Sequence, residues 1–585
     1  MRQHQIIVEK NVPCLLSDGT ILYSDVYRPY DSQQYPVLLT RLPYNKNDPY
    51  YSHRYLDTNR LVENGYIVII QDVRGRFASE GDFYPFKYEG KDGFEAIEWA
   101  ARLPYSNGKV GMFGLSYYGF TQLLAAAENP PHLKAIFPAQ TFNDIRAGSF
   151  FQNGTYGVGM NMTWALESIA PEAIRRKYTD PEQYKQKMLQ LAEIIDNIDE
   201  EFRFYPIKEW PALRKLGVAE YFYDMLEREM EDKIWDELSL GIEKLKGITV
   251  PAFHLGGWFD NFLAPTIANY VYLKEFVDQP QRLIIGPWAH GDFSSQIGER
   301  RFGQHSSQAW IDYKEDLTDL HLRWFDYWLK EKETNILQEK PVKIFVMGTN
   351  TWREEDTWPL PQTDYIPFYF HSNGKANTRF GDGRLSIEMA KEEPTDQYIF
   401  DPSNPVPTIG GGTLFDQLHS VGPIDQRTVE EREDILVYTS NFLTEAVEVT
   451  GPIKVILYAK TNACSTDFTA KLVDVFPDGT AYHLTDGIVR SSFRKGYKKE
   501  RESIKNQIIP YEIDLWATSN VFLEGHQIRV EISSSNFPRF DVNFNNGTTM
   551  LEGNKFNTAT QTIYHNEKYP SHILLPVIPK FKKTI

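Results

Sequence analysis

The stretch Lys109-Val110-Gly111-Met112-Phe113-Gly114-Leu115-Ser116-Tyr117-Tyr118-Gly119-Phe120 decides the fold. Lys109 to Phe113 is an apolar run of strand length, and a helical pattern runs from Gly119 to Glu128, apolar from Phe120 to Ala127. Ser116 lies between them. A serine on a sharp strand-to-helix turn is what a nucleophile elbow requires. Glycines let neighbouring backbone approach, the turn exposes the hydroxyl, and the helix N-terminus favours developing negative charge. The match to G-x-S-x-G departs at one place, because the second glycine follows the serine by three residues rather than two. Ser116 is the candidate nucleophile, and a plain buried turn is the competing reading.

Working outward, Tyr35–Leu39, Tyr66–Ile70 and Lys134–Phe137 are further short apolar runs, and Gly93–Leu103 reads as a helix. Continuous rather than alternating hydrophobicity marks strands buried on both faces, as in a parallel sheet between helices. Strand-helix alternation of this kind predicts an α/β fold. From about residue 145 to 245 the grammar changes. Tyr184, Met188, Leu191, Ile195 and Ile198 recur at steps of three and four, an amphipathic helix, and a second helical pattern spans Tyr221 to Trp235. Strand grammar resumes at Val250–Leu255 and Arg282–Ile285, followed by a helix from His321 to Lys330 whose Trp324, Phe325 and Trp328 read as a packing face. After about residue 350 the chain is β-rich. Gln527–Ile532 alternates polar and apolar, as do Phe468–Leu472, with turn signals at Pro477-Asp478-Gly479 and Asn546-Gly547. The expected organisation is an α/β core over 1–144 and 246–350, a helical cap over 145–245, and an antiparallel jelly-roll β-sandwich over 351–585.

A nucleophilic serine needs a base, and the base needs an orienting carboxylate. In chain order after Ser116, two strand ends supply them. Gly256-Gly257-Trp258-Phe259-Asp260 follows one strand, and Gly286-Pro287-Trp288-Ala289-His290-Gly291 follows the next. In an open α/β sheet, functional groups gather beyond the carboxyl ends of the strands. Asp260 and His290 are therefore the candidate acid and base. The alternatives are a helix cap for Asp260 and a satisfied turn histidine for His290.

Composition limits the rest. The chain of 585 residues exceeds a single domain, and 41% hydrophobic with 24% charged residues is globular composition. With 62 Lys+Arg against 79 Asp+Glu, the net charge of −17 argues against nucleic-acid partners and anionic membrane surfaces. Aromatic residues reach 14%, enough for a large core and an aromatic pocket. Two cysteines, Cys14 and Cys464, do not make a disulfide framework. The start lacks an apolar leader, since Glu9, Lys10 and Asn11 interrupt the first run, and no stretch is long enough to span a bilayer. A cytoplasmic protein is expected. None of the 13 histidines has metal-ligand spacing, so neither metal nor cofactor is called for. Gly410-Gly411-Gly412 lacks the Lys-Ser/Thr of a phosphate loop and reads as a flexible loop of the β domain. Ser79, in Ala78-Ser79-Glu80-Gly81, has no helix behind it and belongs to a structural network in which Asp72 and Arg76 are expected to pair.

Taken together, the chain resembles the CocE/NonD serine hydrolases, the cocaine-esterase-like relatives of S15 X-prolyl dipeptidyl-peptidases and α-amino-acid ester hydrolases. The resemblance runs through Asp25–Pro29, Arg41-Leu42-Pro43-Tyr44, Gln71–Arg76 with Ser79-Glu80-Gly81, the elbow, Gly257–Asp260, Gly286–Gly291, Asp467–Leu472 and Ser535–Arg539. It accounts for the late elbow glycine, a feature of that family. It implies Ser116 as nucleophile, Asp260 as acid and His290 as base, with the Tyr44 phenol and the Tyr117 N–H forming the oxyanion hole. It also implies an acyl pocket walled by Phe262, and the high aromatic content makes Trp258 a further candidate for that wall. The carboxylates that hold the substrate ammonium in α-amino-acid ester hydrolases are absent here. Asn261, Phe262 and Leu263 follow Asp260 instead. The expected substrate is a small carboxylic ester, with amide or peptide cleavage on the same triad as the alternative. A catalytically dead scaffold that binds carbohydrate is the reading from a different class. Self-association into a homo-oligomer is left open.

Overall fold

The structure, a computed structural model, describes residues 5–415, 419–496, 498–500, 502 and 504–579. Met1 to His4, which entered the reading against a leader, lie outside the described residues.

The core is one sheet of ten strands: β1 (Ile6–Leu15), β2 (Ile21–Pro29), β3 (Tyr35–Leu42), β4 (Ile67–Asp72), β5 (Ser106–Leu115), β6 (Leu133–Ala139), β7 (Ala252–Phe259), β8 (Gln281–Ala289), β9 (Val342–Val346) and β10 (Thr351–Glu355). Their order in the sheet is β1-β2-β4-β3-β5-β6-β7-β8-β9-β10. From β4 to β9 all neighbours are parallel, while β1, β2 and β10 run antiparallel at the edges. Burial explains the pattern. Alternate residues of the central strands enter two different cores: Val37, Leu39, Ile67, Ile69 and Met112 join one, and Leu38, Val68, Ile70, Phe113 and Phe137 the other. A strand that feeds both faces cannot alternate polar with apolar. The edge strands escape the sequence reading for the opposite reason, since β1 is half-exposed and carries polar residues.

One face is covered by the helix Leu317–Lys330, which starts ahead of the expected His321 because the Asp316 carboxylate accepts the Asp319 N–H as a cap. Its Trp324 and Phe325 are fully buried. Phe325 lies against Gly111, where a Cβ would meet the ring at 2.7 Å.

Between β6 and β7 the chain forms short helices and the hairpin Phe151–Gln152/Thr155–Tyr156. The expected amphipathic helix spans Pro181–Asp196 and breaks before Ile198, which opens the next helix. Leu191 alone is buried in it, so this is a surface element. The Tyr221–Trp235 pattern is likewise divided, into Tyr221–Glu227 and Ile234–Leu238.

The C-terminal part is β-rich and largely antiparallel. Eleven strands are linked by continuous pairing. The long strand Val447–Thr461 pairs with Ile509–Phe522 on one side and with His572–Val577 and then Ala559–Tyr564 on the other. This domain is interlocked with the cap hairpin. Buried Arg490 pairs with Asp467 (2.8 Å) and Asp541 (3.0 Å) and donates to the Gly154 carbonyl (2.8 Å). Asp541 in turn accepts the Tyr156 N–H, and the Gly159 N–H donates to the Pro538 carbonyl. Two of the motifs singled out in the sequence, Asp467–Leu472 and Ser535–Arg539, thus contribute to this junction.

The pairing expected between Asp72 and Arg76 does not form. Asp72 bonds Lys46 at 3.1 Å, and Arg76 donates only to carbonyls. The segment is a turn in which Gly75 has φ +70°, so residues four apart do not face each other as they would on a helix. Ser79 is buried, its hydroxyl donating to the Asp72 carbonyl.

Gly111→Val would drive methyls into Phe325 and should lower unfolding stability by roughly 1–3 kcal/mol. A thermal melt equal to that of the parent protein would contradict this packing.

Candidate functional site

Ser116 occupies φ +59°, ψ −128°, between β5 and the helix Tyr117–Ala127. Its side chain makes no capping bond to the helix. Its N–H donates to Ala139 O (3.0 Å) and Gln140 O (3.2 Å), and its carbonyl accepts the Thr141 hydroxyl (2.7 Å). The late glycine now has a cause. A Cβ on Gly119 would lie 2.8 Å from the Ala139 carbonyl, so the helix can approach β6 only with glycine there. The residue two after the serine, Tyr118, instead points into the core, where Gly114 clears its path: a Cβ there would meet Tyr118 Cδ2 at 2.2 Å.

Asp260 and His290 follow β7 and β8 directly. His290 Nδ1–H donates to Asp260 Oδ1 at 2.8 Å. A carboxylate only accepts, so this bond fixes the tautomer and leaves Nε2 as the unprotonated nitrogen. Asp260 is buried, and its Oδ2 has no hydrogen-bond partner among the described residues. The His290 loop is framed by Gln140, a residue the sequence reading passed over. Gln140 Nε2 donates to Ala289 O, and its Oε1 accepts the Gly291 N–H, both at 2.8 Å. The same residue's carbonyl receives the Ser116 N–H, so Gln140 ties the serine turn to the histidine loop.

Ser116 and His290 line a single cavity of about 190 Å³. Tyr44 lines it too. Trp164, from the cap, donates its Nε1–H to the Tyr44 hydroxyl at 3.2 Å. Because the Tyr44 oxygen accepts there, its own proton remains available to donate. Burial pushes the Tyr44 phenol up to about 12, against the opposing hydrogen bonds of Trp164 and Ser116 and the field of Arg76, so it stays neutral. The Tyr117 N–H stands at the first helical position, where no intrahelical acceptor exists. The Tyr117 hydroxyl is turned away into the core and donates to Glu89 (2.9 Å).

Phe262 lines the cavity as expected, its ring edge-on to His290 at 5.2 Å. Trp258 does not. Its indole N–H donates to the Phe345 carbonyl at 2.7 Å and its ring packs on Trp358, so it belongs to the core. The remaining walls come from parts of the chain that no local pattern connects: Phe86 and Phe142, Phe150 and Trp164 of the cap, and Leu414 and Phe415 of the β domain. The glycine triplet expected as a flexible loop is packed against the site. Gly411 pairs with Gly422, and a Cβ on Gly412 would lie 3.2 Å from the Asp260 carbonyl. Residues 416–418 lie outside the described residues. Among the described residues no three His, Cys, Asp or Glu side chains cluster to hold a metal ion.

A mostly parallel sheet with serine, aspartate and histidine after β5, β7 and β8 defines a serine hydrolase of the α/β-hydrolase class. Residues 18–292 match the family model of the X-Pro dipeptidyl-peptidase (S15 family), and residues 334–574 match that of the X-Pro dipeptidyl-peptidase C-terminal non-catalytic domain. The cocaine esterase of Rhodococcus sp. (strain MB1 Bresler) is 38% identical over 578 residues, covering 98% of this chain and 99% of that protein. The fold is shared with an aminopeptidase from a marine sediment archaeon, Thaumarchaeota archaeon (TM-score 0.80, 23% identity, 99% and 97% of the two chains). It is also shared with an α-amino acid ester hydrolase (TM-score 0.79, 23% identity, 98% and 97%). The chain belongs to the CocE/NonD family of serine hydrolases and is a serine hydrolase of carboxylic esters.

Gln140→Leu removes both side-chain bonds around His290 while keeping the volume. It should lower kcat on the order of 10²-fold, the cost of a misplaced base. An unchanged kcat would show that the loop holds itself.

Proposed function

We propose that the enzyme cleaves esters of apolar or aromatic acids by double displacement on Ser116. His290 Nε2 takes the serine proton as the oxygen attacks the acyl carbon, and Asp260 stabilises the imidazolium through Nδ1. The Tyr44 hydroxyl and the Tyr117 N–H receive the oxyanion. The alcohol leaves with the proton carried by His290, and water then releases the acid. The observation that carries this reading is that the Tyr44 hydroxyl, which accepts from Trp164 at 3.2 Å, lines the same cavity as Ser116 and His290. The aromatic walls support an apolar acyl group, and Phe262 stands where a carboxylate would serve an ammonium substrate. No helix among the described residues is long and apolar enough to cross a membrane. We place the enzyme in the cytoplasm with this reading, consistent with unpaired Cys14 and Cys464.

The S15 family description favours one second reading, release of dipeptides from aminoacyl-prolyl amides on the same residues. A panel of p-nitrophenyl acyl esters and aminoacyl-prolyl amides separates the two: aryl and alkyl esters should be turned over with higher kcat/KM than the amides. Ser116→Ala should abolish ester turnover, with kcat falling on the order of 10⁵–10⁶-fold, and should block labelling by a fluorophosphonate probe. Near-parental ester turnover in that variant would overturn the assignment of Ser116. A parent protein that the probe does not label would mark an inactive scaffold.

A further inference from the structure

Arg76 has no part in the chemistry above, yet it is one of the largest fully buried side chains of the protein. No carboxylate pairs with it among the described residues. Glu172, whose field reaches it, is held by Arg175 at 2.5 and 2.6 Å. Its guanidinium instead donates to three carbonyls: Nε to Pro43 (2.7 Å), Nη1 to Ile169 (3.1 Å) and Nη2 to Ser168 (2.8 Å). The rings of Phe77 and Phe83 lie 5.1 and 5.2 Å from it. A buried cation without a counter-charge is costly and persists only where geometry requires it.

The three acceptors identify that geometry. Pro43 immediately precedes Tyr44. Ser168 and Ile169 end the helical turn Trp164–Ile169, whose first residue donates to the Tyr44 hydroxyl. Arg76 therefore closes a ring that runs from the Tyr44 backbone through Pro43, across the guanidinium to the end of this cap turn, back along it to Trp164, and through the indole N–H to the Tyr44 phenol. The backbone and the hydroxyl of one side chain are fixed from two directions by elements of different parts of the chain. A planar fork with several donors can serve three divergent carbonyls, whereas a lysine ammonium on a flexible stem cannot hold the same spacing.

We propose that Arg76 and Trp164 are positioning residues that hold the Tyr44 phenol with its proton directed at the oxyanion formed on Ser116. The proposal rests on Tyr44 being an oxyanion donor. The oxyanion exists only beyond the ground state, so the loss should fall on kcat and leave KM nearly unchanged.

The test is a set of double-mutant cycles on the full-length enzyme with a p-nitrophenyl ester, with folding followed by circular dichroism and thermal melting. Tyr44→Phe should lower kcat on the order of 10²–10³-fold, the worth of one oxyanion donor. Arg76→Met and Trp164→Phe should each lower kcat on the order of 10-fold or more, with KM within about twofold. Arg76→Lys should recover only a minor part of the loss. In the Tyr44→Phe background, both substitutions should change kcat by less than about twofold, because the group through which they act is gone. Full additivity, or parental kcat in folded Arg76→Met and Trp164→Phe, would overturn the positioning role. Parental kcat in Tyr44→Phe would overturn the oxyanion reading itself. If Arg76→Met does not fold, the Trp164→Phe cycle, which removes one N–H and keeps a ring, decides alone.

Discussion

The site depends on one strained turn. Ser116 lies at φ +59°, a region that non-glycine residues enter at a cost of about 1–3 kcal/mol. The surroundings over-determine it. The Ser116 N–H is taken by the end of β6, its carbonyl by the Thr141 hydroxyl and the Gly119 and Phe120 N–H groups, and Gly114 and Gly119 remove the atoms that would otherwise keep strand, helix and sheet apart. Because the same β6 end supplies Gln140, the strain that exposes the serine hydroxyl is coupled to the loop that presents His290. Asp260 completes the arrangement from the intervening strand, and among the described residues its carboxylate bonds His290 alone, which concentrates its effect on one ring nitrogen.

Two kinds of support surround this turn. The sheet supplies strand ends, which bring Ser116, Asp260 and His290 to one edge, with Gln140 tying the serine turn to the histidine loop. The cap and the β domain supply the rest: aromatic walls and the Trp164 hydrogen bond to the Tyr44 hydroxyl. Electrostatic stabilisation of an oxyanion is worth most where donors are fixed before the reaction and water is absent. The Trp164 hydrogen bond that holds the Tyr44 hydroxyl comes from outside the sheet.

What the sequence disclosed follows this division. Ser116, Asp260 and His290 stand at the ends of apolar runs, and the α/β rule that functional groups collect at carboxyl ends made them readable. The core strands were readable through their two-faced burial, and the half-exposed β1 was not. Trp258 was misplaced because a strand buried on both faces gives no cue to which side a residue takes. The Asp72–Arg76 pairing was expected from opposite charges in one loop, but Lys46 takes the carboxylate and backbone carbonyls take the guanidinium. Gln140 and Trp164 left no local signal, and Arg76 stood in a motif that did not disclose its partners. Each acts through backbone carbonyls, N–H groups or a hydroxyl far away in the chain, and such acceptors are present at every residue.

The Arg490 junction has a consequence for how substrates are admitted. A cap joined to the rest only through its two chain ends could swing as a hinged lid. This one is stitched to the β domain through Gly154, Tyr156 and Gly159, with a buried guanidinium held by two carboxylates at the seam. The ceiling of the cavity is therefore shared between two layers of the protein, with Phe150 and Trp164 from one and Phe415 from the other.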